Sequence, residues 1–449
     1  MSVVPATEIV ERVWARDPTL WTGTDEADWL GWLDAPARSL DGVDKLLELA
    51  ATADYDTVVL LGMGGSSLAP EVMRRSFEVS ACHVLDTTHP AAIRRLEGEL
   101  DLGRTLFVVS SKSGGTLETR SQLDFFWERT GGDGSRFLAI TDPGSALEQL
   151  ALDRSFLQVL AGEPSVGGRY SALTVFGMLP AALMGLDVLR LLERAEEMRE
   201  GCRLAAGNPG LELGLALGEA WREGRDKVAL AETKGGFELW VQQLLAESTG
   251  KSGKGLVPVE GDGLDVQTHE ARLKRPYELG QEFFRWEFAT AVAGSVLGIN
   301  PFDQPDVQAA KDRTNYVLER GGEVALEPEG SLDELLGEAL EGDYVAVCAF
   351  IDPAREGELE PLLERVRATG RPLMVGLGPR YLHSTGQLHK GGPANGLFVQ
   401  VVDDAGEELP IPGRPWGFRQ LIAAQAAGDS EALRERGRRI VRVRLEELA

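Results

Sequence analysis

Between Val108 and Thr119 the chain reads Val-Val-Ser-Ser-Lys-Ser-Gly-Gly-Thr-Leu-Glu-Thr, an apolar stretch that ends in hydroxyls, one lysine and two glycines before a helical pattern resumes at Arg120. Exposed N–H groups at a helix N-terminus favour an anion, and glycines let the chain close around it. Ser111, Ser113 and Thr116 add hydroxyl donors and Lys112 a charge, so the segment can cradle a phosphate. Read alone it is equally a capped helix start. A second glycine turn, Gly62-Met63-Gly64-Gly65-Ser66-Ser67, follows the apolar run Thr57 to Leu61. With Asp86 closing the next strand it imitates a dinucleotide fingerprint, but Ser67 stands where the third glycine would be. Two such loops on neighbouring strand ends suit one sugar phosphate better than a nucleotide such as NAD(P).

Other segments offer acids, bases and cations. Arg169, after Gly167 and Gly168, can present a fixed charge to negative charge developing on a substrate oxygen, although a loop arginine is often a surface ion pair. Glu247 lies at the end of an apolar helix (Leu239, Val241, Leu244, Leu245), where partial burial would suit a general base. Gln304 and Lys311 are two helical turns apart, which would put both on one helix face. Of five histidines, His83 and His89 flank a strand and read as structural, and His269 falls in a charged loop. His383 and His389 follow a strand, the position for acid/base work. No His/Cys/carboxylate cluster has metal-ligand spacing, and no metal or redox cofactor is expected.

These residues must be positioned by a large frame. A chain of 449 residues is too long for one ordinary core. From Asp56 onward continuous apolar runs alternate with helical patterns, which predicts doubly wound parallel sheets with the ligand at the carboxyl ends of the strands. Residues 1–50 read as a helical arm, with Trp14, Trp21, Trp29 and Trp32 available for packing. Residues 51–190 form a first α/β domain, 205–405 a second and 410–449 a helical tail; 142–168 reads as loop. The acidic stretch 320–343 reads as a linker or exposed helix.

The net charge of −25, from 71 acidic against 46 basic side chains, disfavours nucleic-acid and anionic-membrane partners. Three dispersed cysteines suggest neither disulfides nor zinc. With neither a signal-peptide pattern nor a long apolar run, the expected location is the cytoplasm.

Taken together, GMGGSSL (62–68), SKSGGTLET (111–119), GGRYS (167–171), LLAESTGKSGKG (244–255) and INPFDQPDVQAAK (299–311) resemble the phosphoglucose isomerase (glucose-6-phosphate isomerase) family. The spelling LHSTGQLHKGG (382–392) is most similar to the isomerase half of bifunctional transaldolase/phosphoglucose isomerases. The resemblance implies an α/β fold of two doubly wound parallel-sheet sugar-isomerase (SIS) domains with helical N- and C-terminal extensions. It implies interconversion of glucose 6-phosphate and fructose 6-phosphate through a cis-enediolate, without a cofactor. Gly64, Gly65, Ser66, Ser111, Lys112, Ser113 and Thr116 would hold the phosphate end. Glu247 would move the proton between C1 and C2, Arg169 would steady the enediolate, and Gln304 and Lys311 would bind the sugar and help ring opening. His383 would open the ring. In the family that histidine comes from a neighbouring subunit, implying a homodimer with a shared site. Two departures stand out: His383 follows the FDQ segment instead of preceding it, and Gly115 replaces a hydroxyl residue. A dual phosphoglucose/phosphomannose isomerase and a non-catalytic sugar-phosphate-binding SIS protein are the alternatives.

Overall fold

The computed structural model describes residues 5–231, 234–321 and 324–448. Its first half is built on the predicted apolar runs. β1 (Thr57–Gly62), β2 (Cys82–Leu85), β3 (Thr105–Ser110), β4 (Phe137–Thr141) and β5 (Gln158–Ala161) form a parallel sheet in the order β2-β1-β3-β4-β5. β3 and β4 are buried throughout, as strands covered by helices on both faces must be. β5 forms inside the stretch expected to be loop; Gln158-Val-Leu-Ala is short and half-exposed at the sheet edge, so it carries no continuous apolar run. Strand order reverses between β1 and β3, and a crevice opens outside the carboxyl ends of strands at such a point. Both glycine turns lie there.

The second half contains two sheets where one was expected. β6 (Lys227–Leu230), β7 (Val257–Pro258) and β8 (Val266–His269) run in the order β7-β6-β8. β9 (Tyr344–Phe350), β10 (Leu373–Leu377), β11 (Gly396–Val402) and β12 (Arg439–Arg444) run in the order β10-β9-β11-β12, all parallel. A single antiparallel bridge, Glu260 to Leu373, joins the two sheets. His269 therefore ends a strand instead of lying in a loop.

The tail is not all helix. After the helix Phe418–Glu435, the sequence Arg439-Ile-Val-Arg-Val-Arg444 pairs along β11. Its mix of arginines with β-branched residues suits a half-exposed edge strand. In the acidic stretch the helix Leu332–Gly337 forms, while residues 322–323 lie outside the described residues.

The N-terminal arm packs as its tryptophans suggested. The Trp21 indole donates to Ala291 O (2.8 Å), Trp14 donates to Cys202 O (2.9 Å), and Trp32 stacks on Tyr170. These contacts tie the arm to the buried helix Leu279–Leu297 and to the Arg169 turn. Cys82, Cys202 and Cys348 are buried free thiols. Among the described residues no helix is long and apolar enough to cross a membrane, and no group of three or more His, Cys, Asp or Glu could hold a metal ion.

Candidate active site

Three backbones touch at the first glycine turn. Gly64 has φ +55°, and a Cβ there would lie 2.4 Å from His383 O; a Cβ on Gly65 would lie 2.1 Å from Gly168 O. Only hydrogen fits at either position, so the turn after β1, the Arg169 turn and the His383 turn are held in one place. Ser66 is buried in this junction.

Next to it the second loop leads from β3 into the helix Leu117–Arg129. Ser111 Oγ and Thr116 Oγ1 are 3.0 Å apart. A cavity of about 330 Å³ opens against the start of this helix, walled by Ser113, Thr116, Glu118, Lys311, His383 and Gln425 among others. Hydroxyls, a helix N-terminus and the Lys311 ammonium thus meet at one end of the cavity, an arrangement that suits a phosphate.

Lys112 does not join them. Its Nζ pairs with Asp142 and donates to Glu163 O (2.9 Å), so its charge is spent on the far side of the loop. The expected phosphate ligand is a structural tie between β3 and the β4 loop.

Glu247 occupies the last turn of the helix Phe237–Thr249, with 14% of its side chain exposed. One turn earlier Gln243 directs Nε2 both to Glu247 Oε2 (2.9 Å) and to His383 O (2.9 Å). Arg169 is fully buried, and every arm of its guanidinium is used. Nε donates to Ser248 Oγ (2.8 Å), Nη2 to Pro301 O (2.7 Å) and Asp303 O (2.9 Å), and Nη1 to Gln304 Oε1 (2.9 Å). Nη1 also stands 3.3 Å from Glu247 Oε1. This is a built cation site, not the surface ion pair that a loop arginine usually makes.

Gln304 and Lys311 do not share a helix face. Pro305 keeps residue 304 out of the helix Val307–Arg320, so Gln304 turns to Arg169 while Lys311 faces the cavity.

Lys251 is a second buried cation. Its Nζ donates to Asn300 O (2.8 Å), Asp303 O (2.6 Å) and Asp303 Oδ1 (2.6 Å), gripping the same turn that Arg169 holds. Burial and the neighbouring Arg169 bring its pKa down to about 8, against the opposing pull of Asp303 and Glu247.

The His383 ring donates from Nε2 to Glu118 Oε1 at 2.8 Å. Burial opposes a charge on Glu118, but the facing imidazole, their hydrogen bond and the field of Lys311 outweigh it, leaving the carboxyl below its usual range. The His383 turn is anchored by a buried trio in which Tyr381 Oη and Lys390 Nζ each reach Asp429 at 2.6 Å. His389 is fully buried against Met374 Sδ, and burial takes its pKa down to about 3, so it packs instead of shuttling protons. His89 caps the helix Pro90–Glu99 and bonds Asp403, as its flanking position implied.

His383 meets Glu118 of its own chain. Three site residues escape the sequence reading. Gln243 is four residues before Glu247 on the same helix face, and Glu118 is two residues after Thr116; spacing could have found both. Gln425 lies 307 residues from its partner Glu118, and no local pattern marks it.

A parallel α/β sheet with two glycine turns at the point where strand order reverses, a buried Glu247–Arg169 pair and a His383–Glu118 pair defines an α/β protein with a polar cleft at its strand ends. The family description "Phosphoglucose isomerase" matches residues 49–273, and the chain belongs to the phosphoglucose isomerase family. Glucose-6-phosphate isomerase from Gloeothece citriformis (strain PCC 7424) is 36% identical over 217 residues, covering 44% of this chain and 41% of that protein. The enzyme of the same name from Nostoc sp. (strain PCC 7120 / SAG 25.82 / UTEX 2576) is 33% identical over 267 residues, covering 54% and 49%. The chain spans about half the length, or less, of these relatives. Among solved structures, a hypothetical protein from Thermus thermophilus aligns over 99% of this chain and 84% of its own (TM-score 0.50, 23% identity). A glucose-6-phosphate isomerase from Chlamydia trachomatis aligns over 70% and 78% (TM-score 0.55, 20% identity). Both share the fold. The family match contains the anion turns, Arg169 and Glu247; Gln304, Lys311 and His383 lie beyond it.

Proposed function

We propose that this chain interconverts glucose 6-phosphate and fructose 6-phosphate. One observation carries the reading: Glu247 stands against Arg169, Gln243 links the Glu247 carboxylate to the His383 carbonyl, and the His383–Glu118 pair lines a cavity edged by hydroxyls and Lys311. The names of the sequence relatives support the same substrates.

In the proposed reaction the phosphate rests on Ser113, Thr116 and the helix N-terminus, with Lys311 balancing its charge. The His383–Glu118 pair hands a proton to the ring oxygen and accepts one from the C1 hydroxyl, so the ring opens with no net proton change. Glu247 takes the proton from C2, leaving an enediolate whose oxygen charge faces the Arg169 guanidinium. The same carboxyl returns the proton to C1 while the O2 hydroxyl proton passes to the O1 oxyanion, and the ketose forms. Gln243 ties the two stations together, because one amide bonds both the Glu247 carboxylate and the His383 carbonyl. Every atom is conserved within substrate and side chains, so the reaction needs no external oxidant or reductant. The proposed setting is the cytoplasm, and the proposed assembly is a homodimer.

A coupled isomerase assay on the purified protein tests this. Glu247→Gln should lower kcat by about 10²- to 10⁴-fold with little change in affinity for the sugar phosphate. Near-normal turnover in that variant would sink the mechanism. Binding of the sugar phosphate by the native protein without any turnover would leave a sensor in place of an enzyme.

A further inference from the structure

The helix Phe418–Glu435 lies outside every motif considered above, yet one of its faces bonds Glu118 and anchors the residues on either side of His383. Gln425 is buried and lines the cavity. Its amide orientation is set by its partners: Thr88 Oγ1 donates to Oε1 (2.7 Å), which turns Nε2 toward Glu118 Oε1 at 2.7 Å. That is the same carboxylate oxygen that receives the His383 ring. One helical turn on, Asp429 holds Tyr381 and Lys390, the residues that bracket His383 in its turn.

We propose that Gln425 is a positioning residue for the Glu118–His383 pair, and that its N–H, competing for one carboxylate oxygen, sets how tightly the pair holds its proton. A carboxylate that accepts an amide N–H is less basic than one that does not. Removing that donor must therefore raise the proton affinity of the pair. The other groups facing it are accounted for. Lys311 acts on Glu118 from the helix Val307–Arg320. Arg380, on the His383 turn, is bound to Asp86. Lys390 and Asp429 bind each other, and Glu247 is reached only through Gln243.

The test is a titration of ¹³C-labelled histidine by NMR in the full-length protein, with the His383 signal assigned by its loss in His383→Asn. Gln425→Leu should move the His383 midpoint to higher pH by about half a unit or more, and Gln425→Glu, which adds a second carboxylate, by more. Thr88→Val, which frees the amide but leaves it in place, should give a smaller shift in the same direction. If Gln425→Leu does not fold, the other two variants carry the measurement. An unmoved or lowered midpoint in the folded variants overturns the proposal, because a purely structural residue would change stability and leave the titration alone. The kinetic counterpart, an upward shift of the acid limb of kcat/KM, rests on the isomerase reading. Absence of isomerase activity in the native protein would defeat that reading, whereas an unmoved His383 midpoint defeats this one alone.

Discussion

Lys251 shows how a single side chain makes this site sensitive to pH. Its pKa in the folded chain is about 8, below the ordinary lysine value of 10.5. The folded state thus binds fewer protons than the unfolded state between those values, and the lysine's contribution to stability rises with pH across that window. Below about pH 8 the lysine is charged in both the folded and the unfolded state, and the burial penalty is complete and no longer changes with pH. Lys251→Met should flatten that slope, measurable as urea midpoints at several pH values between 7.5 and 10.5. A slope equal to that of the native protein would show that Lys251 does not titrate there. Single residues also mark the limit of reading sequence. The partial burial of Glu247 was legible because an apolar helix carries it, whereas the full burial of Arg169 was not, because its partners Ser248, Pro301, Asp303 and Gln304 are distant in sequence. Lys112 was not, because its partner Asp142 is 30 residues away, on the loop after another strand.

At the scale of elements, the site depends on backbones that approach without side chains between them. Gly64→Ala would press a methyl group against the His383 carbonyl and strain a positive φ, at a cost of about 1–3 kcal/mol. Because the displaced carbonyl belongs to the His383 turn, activity should fall more than stability alone explains. Paired denaturation and assay measurements check this, and full activity in a folded Gly64→Ala protein would contradict it. The C-terminal helix makes a comparable contribution through Asp429. Asp429→Leu leaves the Lys390 ammonium buried without its counter-ion, an imbalance worth about 3–5 kcal/mol. Adding Lys390→Met should recover much of that loss in a urea titration, and no recovery would mean that the charge pair is not the cause. The strands recognised from sequence were those with apolar runs, clearest in β1, β3, β4, β9 and β11. β5, β8 and β12 escaped because edge strands carry polar residues that dilute the pattern.

For the molecule as a whole, the strand and helix alternation foretold the α/β architecture, but not that its second half divides into two sheets joined by one bridge. Nor could spacing reveal whether His383 serves its own chain. The geometry here places it beside Glu118 of the same chain, which has a consequence in solution. Mixing inactive Glu247→Gln with inactive His383→Ala protein should restore nothing. A dimer with exchanged histidines would regain about a quarter of native activity, since half the molecules would be mixed and each would own one intact site. That recovery would establish sharing.

The Glu118–His383 contact also has a meaning in time. Its members are separated by 265 residues, so on the ribosome the carboxylate emerges long before the ring that answers it. The stretch carrying the family likeness ends at residue 273, before His383 has been made. On the proposed reading, a chain halted in between holds both anion turns, the base and the arginine without the pair that opens the sugar ring. A chain halted at residue 273 also lacks Lys311 and the 301–304 turn that seats Arg169, so on that reading the site is completed only late in synthesis.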